Sequence, residues 1–190
     1  MSRTVRTAVV VVCVILVLTG GFFTLRWAYR AYLEQAYPLK YGDIVERYAK
    51  EYDLSPSLIY AVIRTESHFR ADAESPAGAK GLMQLMDTTY TWIQTKIDGE
   101  DEPPDRIFDP EVNIRCGAKV LQVMHQLFPE PETALAAYNA GNGTVSKWLS
   151  DTEYSSDGKT LIHIPYTETA NYVERVCSAQ KRYQELYGID

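Results

Sequence analysis

Cysteine is scarce in this 190-residue chain. Cys13, Cys116 and Cys177 are scattered, with no Cys-x-x-Cys pair and no metal-ligand spacing, so neither a disulfide framework nor a structural zinc is required. Cys13 lies in an apolar N-terminal run, which leaves Cys116 to Cys177 as the one bond open to the rest; two free thiols are the expectation. Histidine is as sparse: His68, His125 and His163 form no spaced set, and no metal or cofactor is expected. Repeats, low-complexity tracts and convincing strand alternation are missing. Positive charge runs short after Lys40, where 14 Lys/Arg face 24 Asp/Glu, a poor surface for nucleic acid.

What the chain does have is one long apolar run and enough length for one globular domain besides. Ala8 to Leu25 is uncharged over 18 residues, with Arg3 and Arg6 before it and Arg26 after it. As a helix it reaches about 27 Å, enough for a bilayer core, with Trp27, Tyr29 and Tyr32 as interfacial anchors. A cleaved signal peptide is the competing reading, but Leu18-Thr19-Gly20-Gly21 fits an A-x-A cleavage site poorly. Cys13 follows Val12 rather than a small residue, which disfavours a lipoprotein attachment site. The expected organisation is a tail over 1–7, a transmembrane signal anchor over 8–27, a linker over 28–40 and a domain over 41–190. Flanking basic residues stand on both sides of the run, so they do not set its orientation.

The remainder reads as mainly α. Tyr41 to Tyr52 is amphipathic through Ile44, Val45, Tyr48 and Ala49. Ser55 is a candidate N-cap, Pro56 suits the first helical position, and a helix to Phe69 follows. Residues 71–81 form a small, polar, Gly/Pro-broken loop, and Asp87 is expected to cap a helix from Thr88 to about Ile97. Asp109-Pro110 opens a longer helix to about Phe128, another runs from Glu132, a short one carries Trp148, and Tyr166 to Tyr187 is the last.

Within the helix from Ser55, the apolar stripe Leu58, Ile59, Val62 and Ile63 continues onto Glu66. A carboxyl in an apolar setting is costly to ionise, so it holds its proton nearer neutrality, which suits a general acid. The plainer reading is that Glu66 ends the buried face and pairs with Arg64 or Arg70. Spacing alone leaves both open.

Four segments then stand in series: Glu66-Ser67, Gly81-Leu82-Met83-Gln84-Leu85-Met86, Ala137-Tyr138-Asn139-Ala140-Gly141, and Ile164 to Val173, IPYTETANYV. In order and spacing they resemble the catalytic domain of lytic transglycosylases, the SLT or goose-lysozyme-like group of glycoside hydrolase family 23, over about Tyr41 to Tyr187. The resemblance implies a lysozyme-like helical domain acting on peptidoglycan glycan strands. It also implies that Glu66 is the single catalytic acid, with Ser67, Gln84, Met86, Tyr138 and Asn139 around the sugar and Glu168 towards the peptide stem. Read without it, Met83, Leu85 and Met86 are ordinary core positions, whereas Gln84 between them is an amide in need of partners.

Most glycosidases use two carboxylates. Asp72 and Glu74 follow Glu66, but a loop gives no reason to assign either one the second role. The resemblance implies a substrate-assisted route: Glu66 protonates the leaving oxygen, the N-acetyl group assists, and the six-hydroxyl closes to a 1,6-anhydro end. A hydrolytic muramidase on the same fold is the near alternative, and a noncatalytic wall-binding scaffold the distant one. Two departures from the usual pattern stand out: Asp87 where proline is common, read as a substituted cap, and Ile162-His163 where an acidic residue often precedes Ile164-Pro165. A substrate outside the cell would put residues 1–7 in the cytoplasm and the domain beyond the membrane.

Overall fold

The computed structural model describes residues 2–99 and 101–190, with the side chains of residues 9–12 and 14 also outside the described set. It divides into two units, Met1–Pro38 and Leu39–Asp190.

The first unit is one helix, α1, Arg3–Ala36, capped by Ser2, whose hydroxyl accepts from the Val5 N–H at 3.4 Å. Among the described residues no helix is long and apolar enough to cross a membrane. The middle of the run in which the anchor was expected, residues 9–12 and 14, lies outside the described side chains. Thr19 and Thr24 donate their hydroxyls to the Ile15 and Gly20 carbonyls at 2.9 and 2.8 Å, so neither needs a partner beyond its own helix.

The second unit is helical, and among its described residues extended pairing is confined to isolated bridges from Lys80 to Glu74 and Leu85. Its helices are α2, Gly42–Tyr52; α3, Pro56–Ser67; α4, Asp87–Gln94; α5, Pro110–Leu127; α6, Pro131–Ala140; α7, Asn142–Leu149; and α8, Thr167–Tyr187. A short 3-10 turn at Pro104–Phe108 leads into α5. Asp109 caps α5 through bonds accepted from the Glu111 and Val112 N–H groups at 2.9 and 3.2 Å.

The centre is α3, which is buried continuously from Ser57 to Ile63. It is apolar all round because other elements cover it on more than one side: α8 lies along it and α2 packs beside it. Tyr60 of α3 stacks on Tyr183 of α8 with ring centroids 5.3 Å apart, filling that seam with aromatic area.

Several local expectations are corrected. Ser55 makes no capping bond, because its hydroxyl pairs with that of Ser57 instead. The α3 helix stops at Ser67 rather than Phe69: His68 and Phe69 both turn left-handed, with φ of 52° and 62°, reversing the chain and burying the Phe69 ring. Asp87 is not the cap of α4 but its first residue, and it pairs with Lys80 at 2.9 Å.

The segment from Lys80 to Met86 has almost no regular structure, yet side chains from several helices tie its backbone. Fully buried Asn113 of α5 accepts from the Met83 N–H at 2.8 Å and donates to the Lys80 and Ile107 carbonyls at 3.1 and 2.7 Å. Gly117, one turn later, leaves room for the Met83 side chain, which a Cβ there would overlap. Asn113→Ala strands several buried backbone groups and is expected to cost about 3 kcal/mol. Lys80→Ala removes only a partly exposed ion pair and is expected to cost under about 1 kcal/mol. Urea denaturation of the two variants checks the ranking.

Candidate active site

Three elements converge on one carboxyl. Glu66 is one residue from the end of α3, Tyr172 comes from α8, and Tyr138 comes from the end of α6. The residue is only partly covered, but its carboxyl is in a desolvated position, and this burial pushes its pKa up to about 7. The Tyr172 hydroxyl and the Arg175 guanidinium oppose the rise without cancelling it.

Tyr172 is buried, and its hydroxyl has no partner in hydrogen-bond geometry, although it is near enough to Glu66 to act on the acid's titration. Tyr138 differs: its ring edge is partly exposed, while its hydroxyl lies deep and donates to the Met83 carbonyl at 2.8 Å. Burial and the nearby Glu66 charge both push the Tyr138 pKa well above its ordinary value, as they do for Tyr172.

The other expected site residues divide into two groups. Ser67 is buried, and its hydroxyl donates to the Leu82 and Ile63 carbonyls at 2.8 and 3.1 Å. Ser67 thus ties the Leu82 backbone to the end of α3. Gln84 adopts φ 50°, a left-handed conformation for a non-glycine residue, and its amide nitrogen donates to the Ala73 and Gly81 carbonyls at 3.2 and 2.9 Å. What it offers a ligand is its amide oxygen, an acceptor. Met86, Asn139 and Glu168 are exposed, as an approaching ligand requires.

Asp72 and Glu74 are exposed on the loop after α3, and neither is among the groups that shift Glu66. Trp148 is buried, and Tyr166 meets it edge-on with centroids 4.9 Å apart while remaining exposed. Among the described residues no group of three His, Cys, Asp or Glu side chains is placed to hold a metal ion, and Cys116 and Cys177 are free thiols.

Residues 43–162 match the family described as the transglycosylase SLT domain. The chain belongs to that family. It is 36% identical over 160 residues to a soluble lytic murein transglycosylase of Salmonella typhimurium, covering 83% of this chain and 25% of the relative. A membrane-bound lytic murein transglycosylase C of Actinobacillus pleuropneumoniae is 29% identical over 170 residues, covering 77% of this chain and 46% of the relative. Among solved structures, an inactive Glu-to-Gln mutant of the lytic transglycosylase Slt from Pseudomonas aeruginosa matches with TM-score 0.70 and 36% identity, covering 81% of this chain and 25% of that one. A complex of the 70-kDa soluble lytic transglycosylase with bulgecin A matches with TM-score 0.71 and 33% identity over 82% of this chain and 26% of that one. The chain thus spans about a quarter of the length of the soluble relatives it matches.

Two residues of this SLT domain matter to the site and were not singled out for it from sequence. Tyr172 reads as one more packing residue of an amphipathic helix; the available signal was that a buried phenol needs a partner. Asn113 reads as a polar residue in the α5 helix, yet it fixes the segment that carries Gln84 and Met86.

A carboxyl whose folded pKa is above its unfolded value favours the folded state most at low pH. Between about 4.5 and about 7 the unfolded chain gives up the proton first, so stability falls with rising pH, and the loss is complete above about 7. Glu66→Gln removes the buried charge. It is expected to raise the melting temperature at pH 8, by the equivalent of about 1–3 kcal/mol, and to leave it nearly unchanged at pH 4, as calorimetry at the two pH values would measure.

Proposed function

We propose that residues 41–190 are a peptidoglycan lytic transglycosylase domain. It cleaves the β-1,4 bond between N-acetylmuramic acid and N-acetylglucosamine and leaves a 1,6-anhydro end. The observation that carries this reading is the lone, desolvated Glu66 carboxyl, titrating near 7 between two tyrosines without a second carboxylate acting on it. The names of the relatives, lytic murein transglycosylases both soluble and membrane-bound, agree with it.

Glu66 begins protonated and gives its proton to the glycosidic oxygen as that bond breaks, while the substrate's own N-acetyl carbonyl supports the anomeric carbon. The resulting carboxylate then takes the proton of the six-hydroxyl, whose oxygen closes on the anomeric carbon. The acid is regenerated, and no water is consumed. A group that both gives and takes a proton works best with a pKa near the working pH. The spare Tyr172 hydroxyl can donate to the carboxylate formed between the two steps. Gln84, Met86, Asn139 and the Tyr138 ring would orient the glycan, with Glu168 towards the peptide stem. Ser67 would support them from behind.

Residues 8–27 would anchor the domain, with 1–7 in the cytoplasm and the enzyme outside. The apolar run, its self-satisfied threonines and a membrane-bound relative support this reading. Protease added to intact spheroplasts should remove the domain; survival of the domain until lysis would reverse the topology.

Digestion of purified peptidoglycan tests the chemistry. Mass spectrometry should find muropeptides lighter by one water than those with reducing ends; reducing ends would indicate a muramidase instead. Glu66→Gln should fold and lose release by about a hundredfold or more, and wild-type kcat/KM should fall about tenfold per pH unit above about 7, as the acid form titrates away.

A further inference from the structure

Residues 160–164, the start of α6 and one flank of α8 enclose a hollow of about 400 Å³. Ala170, Val173, Glu174 and Cys177 form its α8 wall, at the spacing of a single helix face. Tyr172 and Arg175, which act on Glu66, fall on the other side of α8, and none of the expected site residues lines the hollow. It is a second place on the domain, separate from the acid.

We propose that this hollow docks a short basic segment of a partner protein. An aliphatic side chain of the segment enters between Ile162, Ile164 and Val173, and flanking Lys or Arg side chains meet Glu130, Glu132 and Glu174. The inference is independent of the glycan-cleaving reading.

Two sets of observations meet here, and the first is apolar. Val173 is buried in the wall of the hollow, while Ile162 is 63% exposed on a backbone held by its own N–H, which donates to the Tyr154 carbonyl at 2.8 Å. An aliphatic side chain kept in water beside a hollow has apolar area to gain from a partner. The second set is charge. Glu130, Glu132 and Glu174 line the hollow, all three are exposed, and none forms an ion pair among the described residues. The dipole of α6 accounts for Glu130 and Glu132 at its start, but Glu174 lies well inside α8 and gains nothing from such a dipole. No Lys or Arg lines the hollow, and His163 is the one lining side chain able to carry positive charge.

These features select the occupant. The hollow is near the lower end of ligand-sized sites, roughly 300 Å³, so it takes one or two side chains of a segment rather than a domain face. A second copy would bring its own acidic surface, with 24 Asp/Glu against 14 Lys/Arg beyond Lys40, and a peptidoglycan stem would bring carboxylates; both are repelled. A cationic segment is drawn in instead. The glutamates choose its sign, and the isoleucines choose its apolar anchor.

The full-length protein in a non-ionic detergent tests this with blocked hexapeptides that carry a neutral fluorophore, read by anisotropy. The peptide Lys-Lys-Ile-Ile-Lys-Lys should bind with a Kd below about 1 mM and weaken severalfold as salt rises from about 50 to about 300 mM. Replacing its isoleucines by serine, or its lysines by glutamate, should weaken it about tenfold or more. Ile162→Ser should weaken the parent peptide about fivefold, and so should the triple variant Glu130→Gln, Glu132→Gln, Glu174→Gln, with helical circular dichroism and muropeptide release within about twofold of wild type. Absence of binding below about 1 mM, equal binding of the serine peptide, or variants that bind as well as wild type overturns the proposal. So does a sedimenting dimer that Ile162→Ser abolishes, which would make the hollow a contact between copies. A stem tripeptide, L-Ala–γ-D-Glu–L-Lys, that binds as tightly as the lysine peptide, or muropeptide release that falls together with peptide binding, would assign the hollow to the substrate and also overturn it. Peptide docking that obeys these variants in a protein that cleaves no peptidoglycan keeps the docking site and removes the reaction.

Discussion

The site depends on a constraint that is not itself catalytic: the irregular backbone from Lys80 to Met86 must be held rigid without helix or sheet. Buried peptide groups that are not paired within a regular element need side-chain partners. Here three helices supply them. Asn113 of α5 holds Lys80 and Met83, Ser67 of α3 holds Leu82, and Tyr138 of α6 holds the Met83 carbonyl. Each of these bonds is modest by itself, but their loss would leave buried polar groups unmet, and that asymmetry fixes the segment. The left-handed Gln84 is tolerable only because its amide is tied back to Ala73 and Gly81.

This arrangement also separates support from contact. Ser67 and Asn113 face inward and do not meet solvent, whereas Met86 and Asn139 stand exposed. Tyr138 does both: its hydroxyl clamps the segment and its ring forms surface. The same residue therefore couples backbone order at Met83 to the shape of the wall that a ligand meets.

The helical fold was largely legible, because the apolar periods of α2, α5 and α8 and the Asp109-Pro110 start are strong local signals. Glu66 was visible as the continuation of the α3 stripe, although periodicity alone could not separate an acid from a snorkelling surface residue. What did not show locally was everything settled by tertiary partners. The α3 helix ended two residues early because burying Phe69 favours a left-handed turn, and Asp87 moved into α4 with Lys80 as its partner. The bonds of the Ser67 hydroxyl to Leu82 and Ile63 were not legible either, because a sequence cannot tell which way a hydroxyl at a helix end will point.

The acid's balance follows from the same packing. Desolvation by the elements around Glu66 raises its pKa, while Tyr172 and Arg175, both on α8, bring it down. Desolvation alone would raise the pKa further and make the carboxyl a poorer proton donor. Strong stabilisation of the anion would leave too little acid to start the reaction. Tyr172 and Arg175 come from α8, which lies along α3, so the packing of these two helices places the groups that oppose the desolvation. In the proposed reaction, that balance is what one carboxyl needs to serve two opposite proton transfers without a second carboxylate to share them.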